Sequence, residues 1–160
     1  LRCLVGSEMC IRDSGKIVRS VLQFSRSEPT EKWLGDLTSV LRTAVDVTAR
    51  YAQERGASVD LALDAAAADR RTTMNPIELE QVFVNLIRNA IEAQPRGAKV
   101  RVASRLTEDE EVEVLIADNG PGVEEADAQY VFDPFYTTRL RDGGTGLGLS
   151  VAHGLSLIHI

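Results

Sequence analysis

Residues 74–97, MNPIELEQVFVNLIRNAIEAQPRG, carry the clearest structural signal in the chain. Asn75 suits a helix N-cap, Pro76 the first helical position, and Glu78 the third residue of a capping box, while Met74 can pack on Leu79 as a hydrophobic staple. From that start Leu79, Val82, Phe83, Leu86, Ile87, Ala90 and Ile91 recur at the spacing of one buried stripe, until Gln94, Pro95, Arg96 and Gly97 end the helix. Glu78, Asn85, Asn89 and Glu92 form a polar strip beside that stripe. Two amides at the edge of a core-facing helix are placed to meet something polar.

Outward from this helix the pattern changes period. Val100 and Val102 alternate with Lys99, Arg101 and Ala103, a polar turn covers residues 107–111, and alternation resumes over 112–117. This is an antiparallel hairpin that delivers Asp118 at its end. Two glycine-containing loops follow, at 118–122 and 142–148, with residues 131–139 between them and an apolar helix expected from Leu149 to Leu155. On the other side, Val59, Leu61 and Leu63 alternate with Asp60, Ala62 and Asp64, the pattern of a strand buried on one face. Before it, Asp36 caps a helix whose apolar face is Leu37, Val40, Leu41, Ala44, Val45 and Tyr51 and whose stop is Gly56. Ile17, Val18, Val21, Leu22 and Phe24 read as the end of a further helix, closed by a polar run to Pro29. Helices interleaved with hairpin strands, rather than strict βαβ repeats, imply an α+β fold. We expect a two-layer α/β sandwich: a mixed, mostly antiparallel sheet with helices on one face.

Composition narrows the function classes. The chain has 160 residues, 44% hydrophobic and 26% charged, with a net charge of −6, which suits one domain with a real core. No apolar run approaches a membrane span, and a net negative chain has no general attraction to nucleic acid or anionic lipid. Neither nucleic-acid binding nor membrane contact by this segment is expected. Cys3 and Cys10 are the only cysteines, which excludes a disulfide framework and leaves no partners for a zinc site.

Taken singly, the polar features are weak. A glycine-rich turn before a helix is most often only a turn, amides at i and i+4 can simply cap loops, and Phe132 and Phe135 could be packing residues. Their order and spacing together are specific. Residues 85–93 resemble the N box of sensor histidine kinases, 118–122 the G1 box, 132–138 the F box and 144–149 the G2 box. The Pro-Phe-aromatic-Thr-Thr segment is most similar to the nitrogen-sensor-like kinases. The resemblance covers about residues 36–154 and implies the Bergerat-type ATP-binding fold shared with gyrase-type ATPases, without the C-terminal strand pair with which the family's sheet continues. Residues 1–14 and 155–160 resemble translated sequencing-adapter sequence and are expected to be a non-native leader and tail, with 15–28 the end of a dimerisation-domain helix and its linker, and 29–154 an incomplete kinase domain.

What the resemblance implies can be set against the residue types. Asp118 would read the adenine amine, with Gly120 and Gly122 letting backbone approach the base. Asn89 would supply an uncharged oxygen to a Mg²⁺ ion already held by phosphates, and Asn85 would orient phosphate or a metal-bound water. Gly144, Thr145, Gly146, Leu147 and Gly148 would present backbone N–H groups to the polyphosphate at a helix start. Phe132, Phe135, Thr137 and Thr138 belong to the lid over the nucleotide. Thr138 and Arg139, with Asn85, are the candidates for the reacting phosphate, although the family usually has Lys where this chain has Arg139. In gyrase-like ATPases a Glu stands at the position of Asn85 and activates water; a neutral amide is a poor base, which favours kinase over ATPase.

The implied function is ATP-dependent transfer to a histidine on a separate dimerisation domain, with ATP and Mg²⁺ as cofactors, a response regulator downstream, and a homodimeric, cytoplasmic or membrane-anchored full-length protein. Neither His153 nor His159 has the context of a phosphoacceptor. The alternatives are a nucleotide-binding module without kinase activity, or an anti-sigma serine kinase or ATPase of the same fold.

Overall fold

The structure, a computed structural model, describes residues 31–94, 96–138 and 144–157. Both cysteines, the helix expected within residues 15–25, Arg139, the start of the second glycine loop and His159 lie outside the described residues. The elements in chain order are β1 (Trp33–Asp36), α1 (Leu37–Glu54), β2 (Ser58–Leu63), α2 (Ala65–Asp69), β3 (Arg71–Met74), α3 (Pro76–Ala93), β4 (Lys99–Leu106), β5 (Val112–Ala117) and α4 (Gly148–Leu157).

The capping chemistry is where the sequence places it. Asp36 Oδ1 accepts from Thr38 N at 2.9 Å and from Thr38 Oγ1 at 2.8 Å, satisfying an open donor at the start of α1. The helix ends in a Schellman motif: Gly56, at φ +63°, donates to Gln53 O and Ala57 donates to Ala52 O. Asn75 Oδ1 accepts from Ile77 N at 3.0 Å and Glu78 N at 3.3 Å, with Pro76 opening α3.

β2, β4 and β5 form the main sheet in that order. β2 runs parallel to β4, with Val59 opposite Val100, and β5 runs antiparallel to it, with Ile116 opposite Val102. The parallel pairing requires a crossover, which α3 supplies. Val100 and Val102 are buried, and Val59, Leu61, Val114 and Ile116 pack with them under α1 and α3. The opposite face exposes Arg101, Arg105, Glu113 and Leu115, with Arg105 and Glu113 paired across the strands. The sandwich is therefore two layers deep, with helices on one side. Its core joins Leu37, Val40, Leu41 and Ala44 of α1 to Val82, Phe83, Ile87 and Ile91 of α3, and Ala152 of α4 closes one end.

Three short elements are additions to the expected set. β1 and β3 pair antiparallel, Trp33 opposite Met74, as a separate two-stranded sheet, and α2 is capped by Asp64, whose Oδ2 also accepts from Leu106 N at 3.2 Å. Among the described residues no helix is long and apolar enough to cross a membrane.

Candidate functional site

The site is built on the edge of α3 that its buried stripe leaves open. Packing of Val82, Phe83, Ile87, Ala90 and Ile91 into the core fixes the rotation of the helix. Asn85, Asn89 and Ala93 follow one another at intervals of one turn and so lie along one line, half-buried. Asn85 Oδ1 accepts from Gln81 Nε2 at 3.1 Å.

Asn89 and Ala93 each meet a glycine from a different loop. At Gly148, the first residue of α4, an added Cβ would stand 3.4 Å from Asn89 Nδ2 and 3.6 Å from its Oδ1. The amide is therefore seated at the mouth of a helix N-terminus, where unpaired N–H groups and the helix dipole favour anions. At Gly120 an added Cβ would stand 2.7 Å from Ala93 Cβ and 2.7 Å from Asp118 Oδ1, closer than any side chain tolerates. Only bare backbone fits between that loop and the helix.

The loop after β5 is held at three points. Asp118 Oδ1 accepts from Gly120 N at 2.7 Å, Asn119 Oδ1 accepts from Lys99 N at 2.7 Å, and Gly122 takes a left-handed φ of +78°. Asp118 itself is exposed, and one of its two oxygens is committed to this turn. Asn119 had no role in the sequence reading. Its signal is an Asx residue directly after a strand and ahead of a glycine, a place where side chains hydrogen-bond backbone.

The segment between the loops closes on the second one. Phe135, a bulky residue at φ +70°, donates its N–H to Gly146 O at 2.9 Å. Gly146 sits at φ +64°, and a Cβ there would fall on the carbonyl carbon of Phe135, 2.6 Å from its oxygen and 2.7 Å from that of Tyr136. Phe132 stacks on His153 of α4 with centroids 4.6 Å apart, which gives His153 a packing role. A hydrogen bond to Asp127 is the main cause of a Tyr136 phenol pushed up to about 12, so it stays protonated as a donor. Phe132, Phe135 and Thr138 are exposed, Thr137, Gly144 and Thr145 half-buried, and Leu147 is buried as the anchor of the loop.

The expected site residues thus fall into two groups. Asn85 and Asn89 lie on α3, where Gly148 and Gly120 meet it at Asn89 and Ala93, with Asp118 beside Gly120 and Asn119 tying the first loop to Lys99 of β4; Phe132, Phe135, Gly146 and Leu147 assemble between the second loop and α4. Gly122, Thr137, Thr138, Gly144 and Thr145 lie along the loops that connect them.

Comparison with known proteins bears on the fold and the family. Residues 74–159, more than half the chain, match the family model for histidine kinase-, DNA gyrase B-, and HSP90-like ATPases. The C4-dicarboxylate transport sensor protein DctS of Rhodobacter capsulatus is 32% identical over 158 residues, 92% of this chain but 22% of that protein. The catalytic domain of the histidine kinase ThkA, in a nucleotide-free form, superposes with a TM-score of 0.69 at 27% identity, covering 79% of this chain and 80% of that one. Full-length ShkA in complex with AMPPNP gives a TM-score of 0.76 at 25% identity, covering 93% of this chain and 32% of that one.

Proposed function

This chain belongs to the histidine kinase-, DNA gyrase B- and HSP90-like ATPase family, as a catalytic domain of the histidine-kinase kind, and from that premise we propose that it binds ATP with Mg²⁺ and passes the γ-phosphoryl group to a histidine on a dimerisation domain. The observation that carries this is the meeting of two glycine loops on one line of α3, Gly148 at Asn89 and Gly120 at Ala93. Folding brings to one helix face two glycine loops that stand 27 positions (Gly120 from Ala93) and 59 positions (Gly148 from Asn89) further along the chain.

The residues present fit the nucleotide and its ion. Glycine at 120 lets its loop lie against Ala93, and glycine at 148 brings the start of α4 beside Asn89, so both loops reach one face of α3. Among the described residues no three His, Cys, Asp or Glu side chains gather into a cage, so the donor set suits a cation that brings phosphate oxygens of its own. Asn89 would add one neutral oxygen to it, Asp118 would accept from the adenine amine, and the N–H groups of residues 144–148 would face the phosphates. Mg²⁺, when bound, supplies charge neutralisation to the transferring group. Thr137, Thr138 and Arg139 would close over the γ-phosphate.

Kinase rather than ATPase chemistry is supported at Asn85. Its amide, hydrogen-bonded to Gln81, has no proton-accepting nitrogen or carboxylate with which to activate water. An acceptor histidine needs no such base, because its own ring nitrogen is the nucleophile. The phosphorylated histidine would in turn supply a response regulator, in a homodimeric sensor protein of which this chain is one part.

Binding of fluorescent ADP or ATP with Mg²⁺ is the first test, and Asp118→Asn should abolish it; equal affinity in the variant would remove the adenine assignment. Given labelled ATP, the chain should leave its own histidines unlabelled and transfer acid-labile phosphate to a supplied acceptor-helix domain. Labelling of His153 would overturn this division of roles.

A further inference from the structure

A cluster of aromatic and charged groups joins the C-terminal ends of α1 and α3, outside the residues assigned above. Tyr51 Oη donates to Glu92 Oε1. The guanidinium carbons of Arg55 and Arg88 each lie 4.6 Å from the centroid of the Tyr51 ring. Arg88 also approaches Glu92, at 3.8 Å, one turn along α3. Burial first, and then the hydrogen bond to Glu92, raise the phenol above its usual 10.0, so it remains a donor across the neutral range.

The position of this cluster matters because of what the last turn of α3 carries. Gln94 follows the helix in extended conformation, with φ −120° and ψ 119°, and the last turn holds no basic residue to meet the helix dipole. The last four carbonyls of any helix have no partner within it, so the last turn depends on outside contacts for its position. It is the turn that carries Ala93, against which Gly120 is seated, and it begins at Asn89's next neighbours. A charge-assisted hydrogen bond from a different helix, on the residue just before Ala93, ties it down.

We propose that Tyr51 is a positioning residue for the nucleotide site, holding the last turn of α3 through Glu92 so that Ala93 seats the Gly120 loop. The proposal rests on the nucleotide-binding reading given above and deepens it.

The test uses Tyr51→Phe, which removes only the hydroxyl and keeps the ring between its two arginines. It is run on the full chain with fluorescent ADP plus Mg²⁺, thermal melting, and amide hydrogen exchange. Affinity should fall about fivefold, part of the roughly tenfold or more that one hydrogen bond to a charged group is worth. Protection of residues 90–94 and 118–122 should fall with it, while the melting temperature drops by only about 2–4 °C and the chain stays folded at the assay temperature. Glu92→Gln, which keeps an acceptor oxygen, should restore most of the affinity that Glu92→Ala loses. Unchanged affinity or protection in Tyr51→Phe, or equal losses in the two Glu92 variants, would overturn the proposal. The exchange readout separates the two levels: absence of ADP binding by the unmutated chain would overturn the site and the proposal with it, whereas unchanged protection in Tyr51→Phe overturns the tie alone.

Discussion

Gly120→Ala puts the proposed adenine loop to its sharpest test, because the substitution adds one carbon and nothing else. That carbon would stand 2.7 Å from Ala93 Cβ and 2.7 Å from Asp118 Oδ1. Comfortable carbon contacts begin near ~3.5 Å, so the loop must lift from the helix by roughly 1 Å. The helix cannot give way, since Ala90 and Ile91 beside Ala93 are packed in the core. Nor can Asp118 Oδ1 withdraw without abandoning its bond to Gly120 N. Overpacking of this kind costs about 1–3 kcal/mol. Because the loop is open to solvent, the strain should be relieved by displacing it, and the loss should appear in nucleotide affinity, about 5- to 150-fold, rather than in global stability. Titration with fluorescent ADP and Mg²⁺ beside thermal melts measures both quantities. Ala93→Gly in the same chain removes the opposing methyl, at about 1 kcal/mol of helix propensity, and should recover part of the lost affinity. Wild-type affinity in Gly120→Ala, or strictly additive losses in the double variant, would refute the contact and with it the common wall on α3.

Asn89→Ala should weaken Mg²⁺-dependent nucleotide binding several-fold more than binding measured in EDTA; equal losses would mean that another residue holds the ion. Gly146→Ala should detach the segment around Phe135 from the second loop, by the clash with Phe135 and by a left-handed φ that alanine disfavours by about 1 kcal/mol, read as faster proteolysis between residues 123 and 138. Asp36→Ala should cost about 1 kcal/mol in urea melts at neutral pH as the cap of α1 is lost. Burial pushes the Asp36 carboxyl up, but hydrogen bonds from Thr38 and Ser39 outweigh it and hold the group below 3.8. A carboxylate depressed in the folded state stabilises above its unfolded value and loses that contribution as pH falls through the folded one. The gap between Asp36→Ala and the unmutated chain should therefore be full at pH 7 and close below pH 3.8; a gap that stays constant would remove the charged form from the cap.

Elements whose signals are local were legible in the sequence. α3 announces itself through Asn75 and Pro76, α1 through Asp36 and Gly56, and the β4–β5 hairpin through its alternation, and each is found with those boundaries to within a residue or two. β1 and β3 were not legible, because four residues carry too little periodicity to count and their partners lie about forty positions away, Trp33 with Met74 and Asp36 with Arg71. The parallel register of β2 on β4 was hidden for the same reason: alternation says which face is buried, not which strand is the neighbour. Within the site, residue types pointed to Asn89, Asp118 and the glycines, but Ala93 and Asn119 could not be found that way. A methyl becomes part of a site only through what is pressed against it.

Among the described residues two non-glycines take left-handed backbone, and they differ in what sustains them. Glu110, at φ +62°, lies in the β4–β5 turn, where Thr107 N donates to Glu111 O and Glu110 N to Thr107 O; the hairpin register enforces it. Phe135, at φ +70°, has no flanking strands, and a bulky aromatic there costs about 1–2 kcal/mol. Its N–H bond to Gly146 O is the contact that compensates, and Gly146 can make it only because it lacks the Cβ that would strike Phe135. The segment around Phe135 and the second glycine loop therefore hold each other: strain in the first is compensated by a backbone group of the second.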